Sequence, residues 1–194
     1  MRERREGDRA ADAACRVLLK LGINRFPVDP LDILRRCRNT RVMTFQEAAE
    51  AMALTEDDLS RLCSDAEAMT IRDMGADEDR YLVCYRTDGN RARLNFTLAH
   101  ELGHIILRHN RNTQEEEKEA DCFASHLLCP VIASELVTNE KDLARLCYIS
   151  HSAAQYALQR KSWLRNEKLD RQMRGYIDDY ISRGGRHLLE MTND

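Results

Sequence analysis

Glycine and proline are scarce, at eight and three residues in a chain of 194. This excludes collagen-like, linker-like and low-complexity architectures, and it leaves long helices without their usual interruptions. No apolar run approaches the roughly 20 residues that span a bilayer. The N-terminus has arginines but no apolar stretch and small-residue cleavage site behind them, so no secretory leader is expected. An excess of charge of one sign is missing too. Thirty basic and 33 acidic residues leave a net charge of -3, and the signs are interleaved, so no basic field makes nucleic-acid binding the main activity. Arg2, Arg4, Arg5 and Arg9 are offset by Glu3, Glu6 and Asp8, and residues 1–9 read as a flexible, solvated start. The seven cysteines are odd in number and scattered, with no CxxC pair. A disulfide framework or a structural thiolate zinc site is therefore not expected, and most of them read as small buried hydrophobes in a reducing compartment. Cytoplasm is the expected location.

What is present is 43% hydrophobic and 32% charged residues, the balance of a soluble, helix-rich domain with a real core. Ala10, Ala14, Val17, Leu18 and Leu21 recur at helical spacing and Gly22 stops them. Asp29-Pro30 is a cap followed by an N1 proline, which opens a helix through Leu31 and Leu34. A short extended piece is expected around Arg41–Phe45, leading to a charged region with Thr44 or Thr55 as its cap. Leu54, Leu59, Leu62 and Met69 hint at one or two further helices. Tyr81–Tyr85 has strand composition, and Asp88-Gly89 is a turn signal. The alternation of Ala92, Leu94 and Phe96 then predicts a second strand, closing a hairpin that feeds a helix over Leu98–Leu107 capped by Thr97. After a polar loop, a second long helix is expected over Glu115–Leu128, stopped by Pro130. Short helices come next, with Trp163 packing that end onto the body, and the tail beyond Gly184 is polar. The expected fold is α+β: mainly helical, with a small antiparallel sheet or hairpin before the helix that starts at Leu98. Residues 10–131 form the catalytic domain, 132–183 a helical subdomain packed on it or continuing it, and 184–194 a polar tail.

The chemistry lies in His100-Glu101-Leu102-Gly103-His104. Two histidines four apart on a helix leave the same face and can grip one metal ion. Glu101, one position round, reaches a water on that metal rather than the metal itself. Zinc lowers the pKa of such a water toward about 7, and the carboxylate takes its proton as it attacks a carbonyl. The pattern arises by chance in a chain of this composition with a probability of roughly 2%, so its surroundings decide its weight. A catalytic zinc needs a third protein ligand. Glu115, Glu116, Glu117 and Glu119 on the next helix are candidates. Glu117 is preferred because it shares a face with Asp121, opposite much of the Phe123 and Leu127 packing surface, and Glu119 remains the alternative. Asp121 is placed to accept a hydrogen bond from the far nitrogen of a ligating histidine.

Phe96–His104, followed in order by Glu117-x-x-Ala120-Asp121-x-Phe123-Ala124-x-x-Leu127-Leu128-x-Pro130, resembles the signature of the ImmA/IrrE family of metallopeptidases. The similarity extends loosely from Ala10 to Leu158. The resemblance implies a zincin-like endopeptidase of the bacterial cytoplasm and of mobile elements. Such enzymes act on a helix-turn-helix repressor of the xenobiotic-response-element class, so that genes for stress response or element transfer are derepressed. It also implies Zn2+ as cofactor, His100, His104 and Glu117 as ligands, Glu101 as base and Asp121 behind the ligands. Some relatives carry an N-terminal helix-turn-helix domain. This chain has no room for one before Asp29, so the repressor is expected to be a separate protein.

Two other readings compete. One is a zinc hydrolase of a non-protein substrate, and the other a catalytically silent zinc module that senses or binds a repressor. Glu101 favours cleavage, having no purpose in a purely structural site. Among the remaining residues, His109 reads as a loop or rim residue, His126 as structural and His151 as a cap neighbour. Tyr148, His151 and Tyr156 are unranked candidates for oxyanion stabilisation. Cys122 and Cys129 are not expected to reach the metal. Ala144–Leu158 faintly resembles a helix-turn-helix, but its basic residues are few, and a helical packing or substrate-recognition role is preferred.

Overall fold

Helix α1 (Glu6–Lys20) buries Ala10, Ala14 and Leu18, one residue per turn on a single face. It ends in a Schellman arrangement: Gly22 has φ +66, its N–H donates to Leu19 O, and the N–H of Ile23 donates to Leu18 O. The computed structural model describes residues 6–55, 58, 61, 66–73, 75, 79–111, 113–159 and 166–184. The expectations for residues 1–5, Leu59, Leu62, Trp163 and the tail after Gly184 lie outside the described residues.

Asp29 caps α2 (Pro30–Arg36), accepting from the N–H groups of Leu31 and Asp32, with Pro30 at N1 as expected. Strand β1 (Thr40–Thr44) runs into α3 (Phe45–Met52). There Thr44 and Glu47 form a reciprocal capping box. Strands β2 (Ala68–Asp73) and β3 (Arg80–Tyr85) complete a three-stranded mixed sheet of order β1-β3-β2, in which β3 is parallel to β1 and antiparallel to β2.

An antiparallel pair thus precedes the HExxH helix, but its strands are β2 and β3. Residues 91–96, expected as the second strand, are the opening turns of α4 (Arg91–Leu107). Asn90 rather than Thr97 is the cap, its side chain accepting from the N–H of Arg93 at 3.0 Å. Thr97 sits inside the helix, where its hydroxyl donates to Arg93 O. The physical reason is local. Arg91, Ala92, Arg93 and Leu94 are good helix formers behind a strong cap, and a six-residue alternation is too short to override them.

Helix α5 (Gln114–Leu128) opens on a second capping box, Thr113 with Glu116. The Glu116 carboxylate also accepts from the N–H groups of Asn110 and Arg111, which pins the turn between α4 and α5. Helices α6 (Val131–Glu135), α7 (Glu140–Cys147), α8 (His151–Gln159) and α9 (Glu167–Ser182) follow. One apolar core runs through Leu18, Leu102, Phe123, Leu127, Leu143, Ala154, Leu169 and Met173. Residues of α7, α8 and α9 therefore share the core of α1, α4 and α5. Polar bonds tie α9 down as well: the Gln172 amide donates to Leu18 O and Ile23 O, and the Tyr176 hydroxyl donates to Phe26 O. Cys15, Cys84, Cys129 and Cys147 are buried and in no disulfide. No helix among the described residues is long and apolar enough to cross a membrane.

Candidate metal centre

Helices α4 and α5 cross at Gly103, where a Cβ would stand 3.2 Å from Ala120 Cα. This close approach lays the polar edge of α5 beside the two histidines of α4. His100 and His104, one turn apart, present their Nε2 atoms to each other at 2.9 Å. Glu117 completes the group: its two carboxylate oxygens lie 3.3 Å from His100 Nε2 and 3.4 Å from His104 Nε2. Four-coordinate zinc, with bonds of about 2.0–2.1 Å, spaces its ligand atoms about 3.3 Å apart. The His100–His104 separation is a few tenths of an ångström shorter than this, and the two contacts of Glu117, one from each of its oxygens, are of this length. Two imidazole lone pairs and a carboxylate brought this close repel one another unless a cation or a proton lies between them. The donor set therefore fits a zinc ion, which His100, His104 and the half-exposed Glu117 would hold.

The structure also settles which acid faces the histidines. Glu119, the alternative third ligand, points elsewhere, with its carboxylate 3.1 Å from His109 Nε2 and 3.5 Å from an Arg9 nitrogen. Asp121 lies 2.8 Å from His100 Nδ1, where it accepts that N–H and leaves the Nε2 lone pair aimed at the group.

Charge in the site is unevenly distributed. Burial lowers the His100 pKa, but the hydrogen bond and charge of Asp121 more than offset it and leave His100 above the ordinary imidazole value of 6.5. Burial, helped by the His100 charge, pushes His104 down to about 4. Without a metal, a proton shared on the His100 side can occupy the gap between the two rings. Burial also raises the Glu101 carboxyl above the usual range, against the pull of Thr70 and His100. Thr70, on β2, is the neighbour that pulls Glu101 down, yet its buried hydroxyl makes no hydrogen bond of good geometry. Glu101 is thus partly buried, next in sequence to His100 but outside the metal-binding group, as a proton acceptor needs to be.

The other histidines divide. His126 is buried in α5, its Nδ1 2.8 Å from Cys122 O and 3.6 Å from Cys122 Sγ, which is a packing role. His151 begins α8 on the surface, 3.7 Å from Glu140, while Tyr148 ends α7 with φ +54 and Tyr156 is exposed on α8. His109, read from the sequence as a loop or rim residue, does lie in the loop after α4, and its side chain is buried against His104, Nδ1 to Nδ1 at 3.0 Å. Helix α4 stops before it. It ends at Leu107, and Arg108, with φ +59, turns the chain back so that the His109 N–H donates to His104 O.

Comparison with protein families places a model described as the IrrE N-terminal-like domain, of the peptidase M78 class, on residues 58–158. That span is just over half of the chain, and it contains β2, β3, α4 and α5 whole. No curated protein matches the chain. With the matched segment carrying both helices of the His100–His104–Glu117 group, the chain belongs to the ImmA/IrrE family of metallopeptidases.

Proposed function

We propose that this chain is a zinc endopeptidase of the cytoplasm that cuts a helix-turn-helix repressor of the xenobiotic-response-element class and so derepresses stress or mobile-element genes. The observation that carries the metal part is the convergence of His100, His104 and Glu117: the two Nε2 atoms lie 2.9 Å apart, and the two Glu117 oxygens lie 3.3 and 3.4 Å from them. Bound there, zinc supplies Lewis acidity, acidifying water and polarising an acyl carbonyl. His100 and His104 offer Nε2, and Glu117 offers its carboxylate. Asp121 keeps the His100 proton on Nδ1. Glu101, partly buried and one residue from His100, takes the proton of the attacking water on a carboxylate oxygen and returns it to the leaving amine.

A polypeptide substrate suits the surroundings better than a small acyl compound. Among the described residues strand β2 is an edge strand, paired on one side with β3, and Thr70 in it lies beside Glu101. An extended peptide that adds to this edge has its carbonyls delivered to the base by main-chain hydrogen bonds. The test is to mix zinc-loaded protein with the repressor encoded beside it and to read the intact masses. Defined fragments that appear with wild type and not with Glu101→Gln are expected. A repressor bound but left whole would favour the sensor reading.

The pKa pattern makes a second prediction. A proton on a ligating nitrogen competes with zinc, so affinity must rise with pH through the pKa of each protonated ligand. His104, down at about 4, is already neutral at pH 5, whereas His100 is not. In Glu101→Gln protein, which removes the other buried acid, log affinity should climb between about pH 5 and 6.5 with a slope of about one proton per zinc. Chelator competition across that range measures it, and a slope of two would show both histidines protonated.

A further inference from the structure

Behind His104 a chain of contacts runs away from the metal group: His104 Nδ1 to His109 Nδ1 at 3.0 Å, His109 Nε2 to Glu119 at 3.1 Å, and Glu119 to Arg9 at 3.5 Å. Arg9 also donates to Leu107 O at 3.1 Å, so α1 anchors the far end on the last turn of α4. We propose that His109 and Glu119 are positioning residues that set the tautomer of His104, holding its proton on Nδ1 and its lone pair on the metal side; this rests on the metal-site reading above.

The direction of every hydrogen bond follows from one end. Glu119, a carboxylate held by Arg9, can only accept. His109 must then donate through Nε2, which leaves its Nδ1 with a lone pair. That lone pair accepts the Nδ1–H of His104, and His104 Nε2 is free to bind a cation. The opposite tautomer of His109 would donate toward His104 Nδ1 and force the proton onto His104 Nε2, where it blocks the metal. Glu119 excludes that arrangement. With its side chain only 5% exposed, His109 cannot be replaced in this task by bulk water.

The two ligating histidines are thereby backed in different ways. His100 gives its Nδ1 proton directly to the Asp121 carboxylate. His104 reaches a carboxylate only through a neutral imidazole, a weaker acceptor. The cluster also joins three helices, α1 through Arg9, α4 through His104 and α5 through Glu119, and so couples the end of α4 to the metal face of α5.

The experiment compares zinc affinity, by competition with a fluorescent chelator, in wild type, His109→Asn, His109→Phe and Glu119→Ala. Asparagine can place its carbonyl oxygen close to where the imidazole Nδ1 accepted, while phenylalanine keeps the ring and loses the acceptor. Loss of an outer partner of this kind lowers metal affinity about 10- to 100-fold. That loss is expected in His109→Phe and, in part, in Glu119→Ala, with His109→Asn restored toward wild type. The ring nitrogen shifts of His104 in the zinc-free protein give a second readout. They should report Nδ1–H in wild type and a mixture of tautomers in Glu119→Ala, whether or not His109→Phe folds. A packing role predicts the reverse order, with phenylalanine tolerated and asparagine not, and that order would overturn the proposal, as would equal affinities throughout. Wild-type protein that takes up no zinc at all would overturn the metal-site reading itself and this inference with it.

Discussion

Glu101→Gln leaves zinc uptake intact and lowers turnover by about 10²- to 10⁴-fold, the range that a positioned general base contributes. Glutamine keeps the shape and the contact with β2 but has no carboxylate to take a proton. The metal group does not include Glu101, so the donor triangle survives the change. The substitution also has a signed effect on stability. Burial raises the Glu101 carboxyl above its ordinary 4.5, so the folded state holds that proton more tightly than the unfolded chain does. The associated stability is present below about pH 4.5 and is lost as pH rises through the folded-state pKa. Above that pKa a partly buried charge is carried at a cost, and there the glutamine variant should unfold at the same temperature as wild type or higher. His104→Ala is the counterpart: it removes one of three donors and should lose the metal together with activity. Metal content, turnover and thermal unfolding measured side by side separate the two variants. A Glu101→Gln protein that cuts at the wild-type rate would remove Glu101 from the mechanism.

The parts of this site that were legible in the sequence are those set by helical periodicity. Positions four apart on a helix share a face whatever surrounds them, so His100 with His104, and Glu117 with Asp121, could be paired before any tertiary contact was known. Asp29 before Pro30 and the Thr44 cap were legible because capping is short-range chemistry, whereas Thr97 was read as the cap that Asn90 supplies and the Thr113 box was not read at all. Where reading failed, the deciding interaction was long-range or hung on a single backbone angle. The parallel pairing of β1 with β3 joins Thr40 to Tyr81 across some forty residues and leaves no local pattern. Residues 91–96 satisfied a strand alternation and a helix propensity equally well over so short a window, and the Asn90 cap decided between them. His109 was read as a loop residue, but its packing on His104 was not legible, because Arg108 adopts a left-handed conformation that its identity does not announce. Thr70 reaches Glu101 through the packing of β2 on α4, for which no spacing rule exists.

Gly103 is where fold and chemistry are most tightly joined, and Gly103→Val should damage both. A Cβ at this position would stand 3.2 Å from Ala120 Cα and Phe123 Cδ1, and 3.3 Å from Ala120 O. Two of those three atoms are backbone and cannot rotate aside. Alanine sits near balance, because its gain in helix propensity of about 1 kcal/mol over glycine is set against a contact tighter than most. Valine adds two further methyl groups against a wall that can retreat only if α5 shifts, and such overpacking costs about 1–3 kcal/mol. The shift has a direction that matters for the site. Glu117 is three residues before Ala120 on α5, so moving α5 off α4 carries its carboxylate away from the His100 and His104 nitrogens, which it now meets at 3.3 and 3.4 Å. Denaturant unfolding of the zinc-free protein should show Gly103→Val destabilised and Gly103→Ala close to wild type, and zinc affinity should fall in the valine variant in the same order. A valine variant with unchanged unfolding midpoint and unchanged zinc affinity would mean that the crossing yields without separating the helices, and that the spacing of the metal group is held by other contacts, the capping box at Thr113 and the Glu116 bonds to the α4–α5 turn foremost among them.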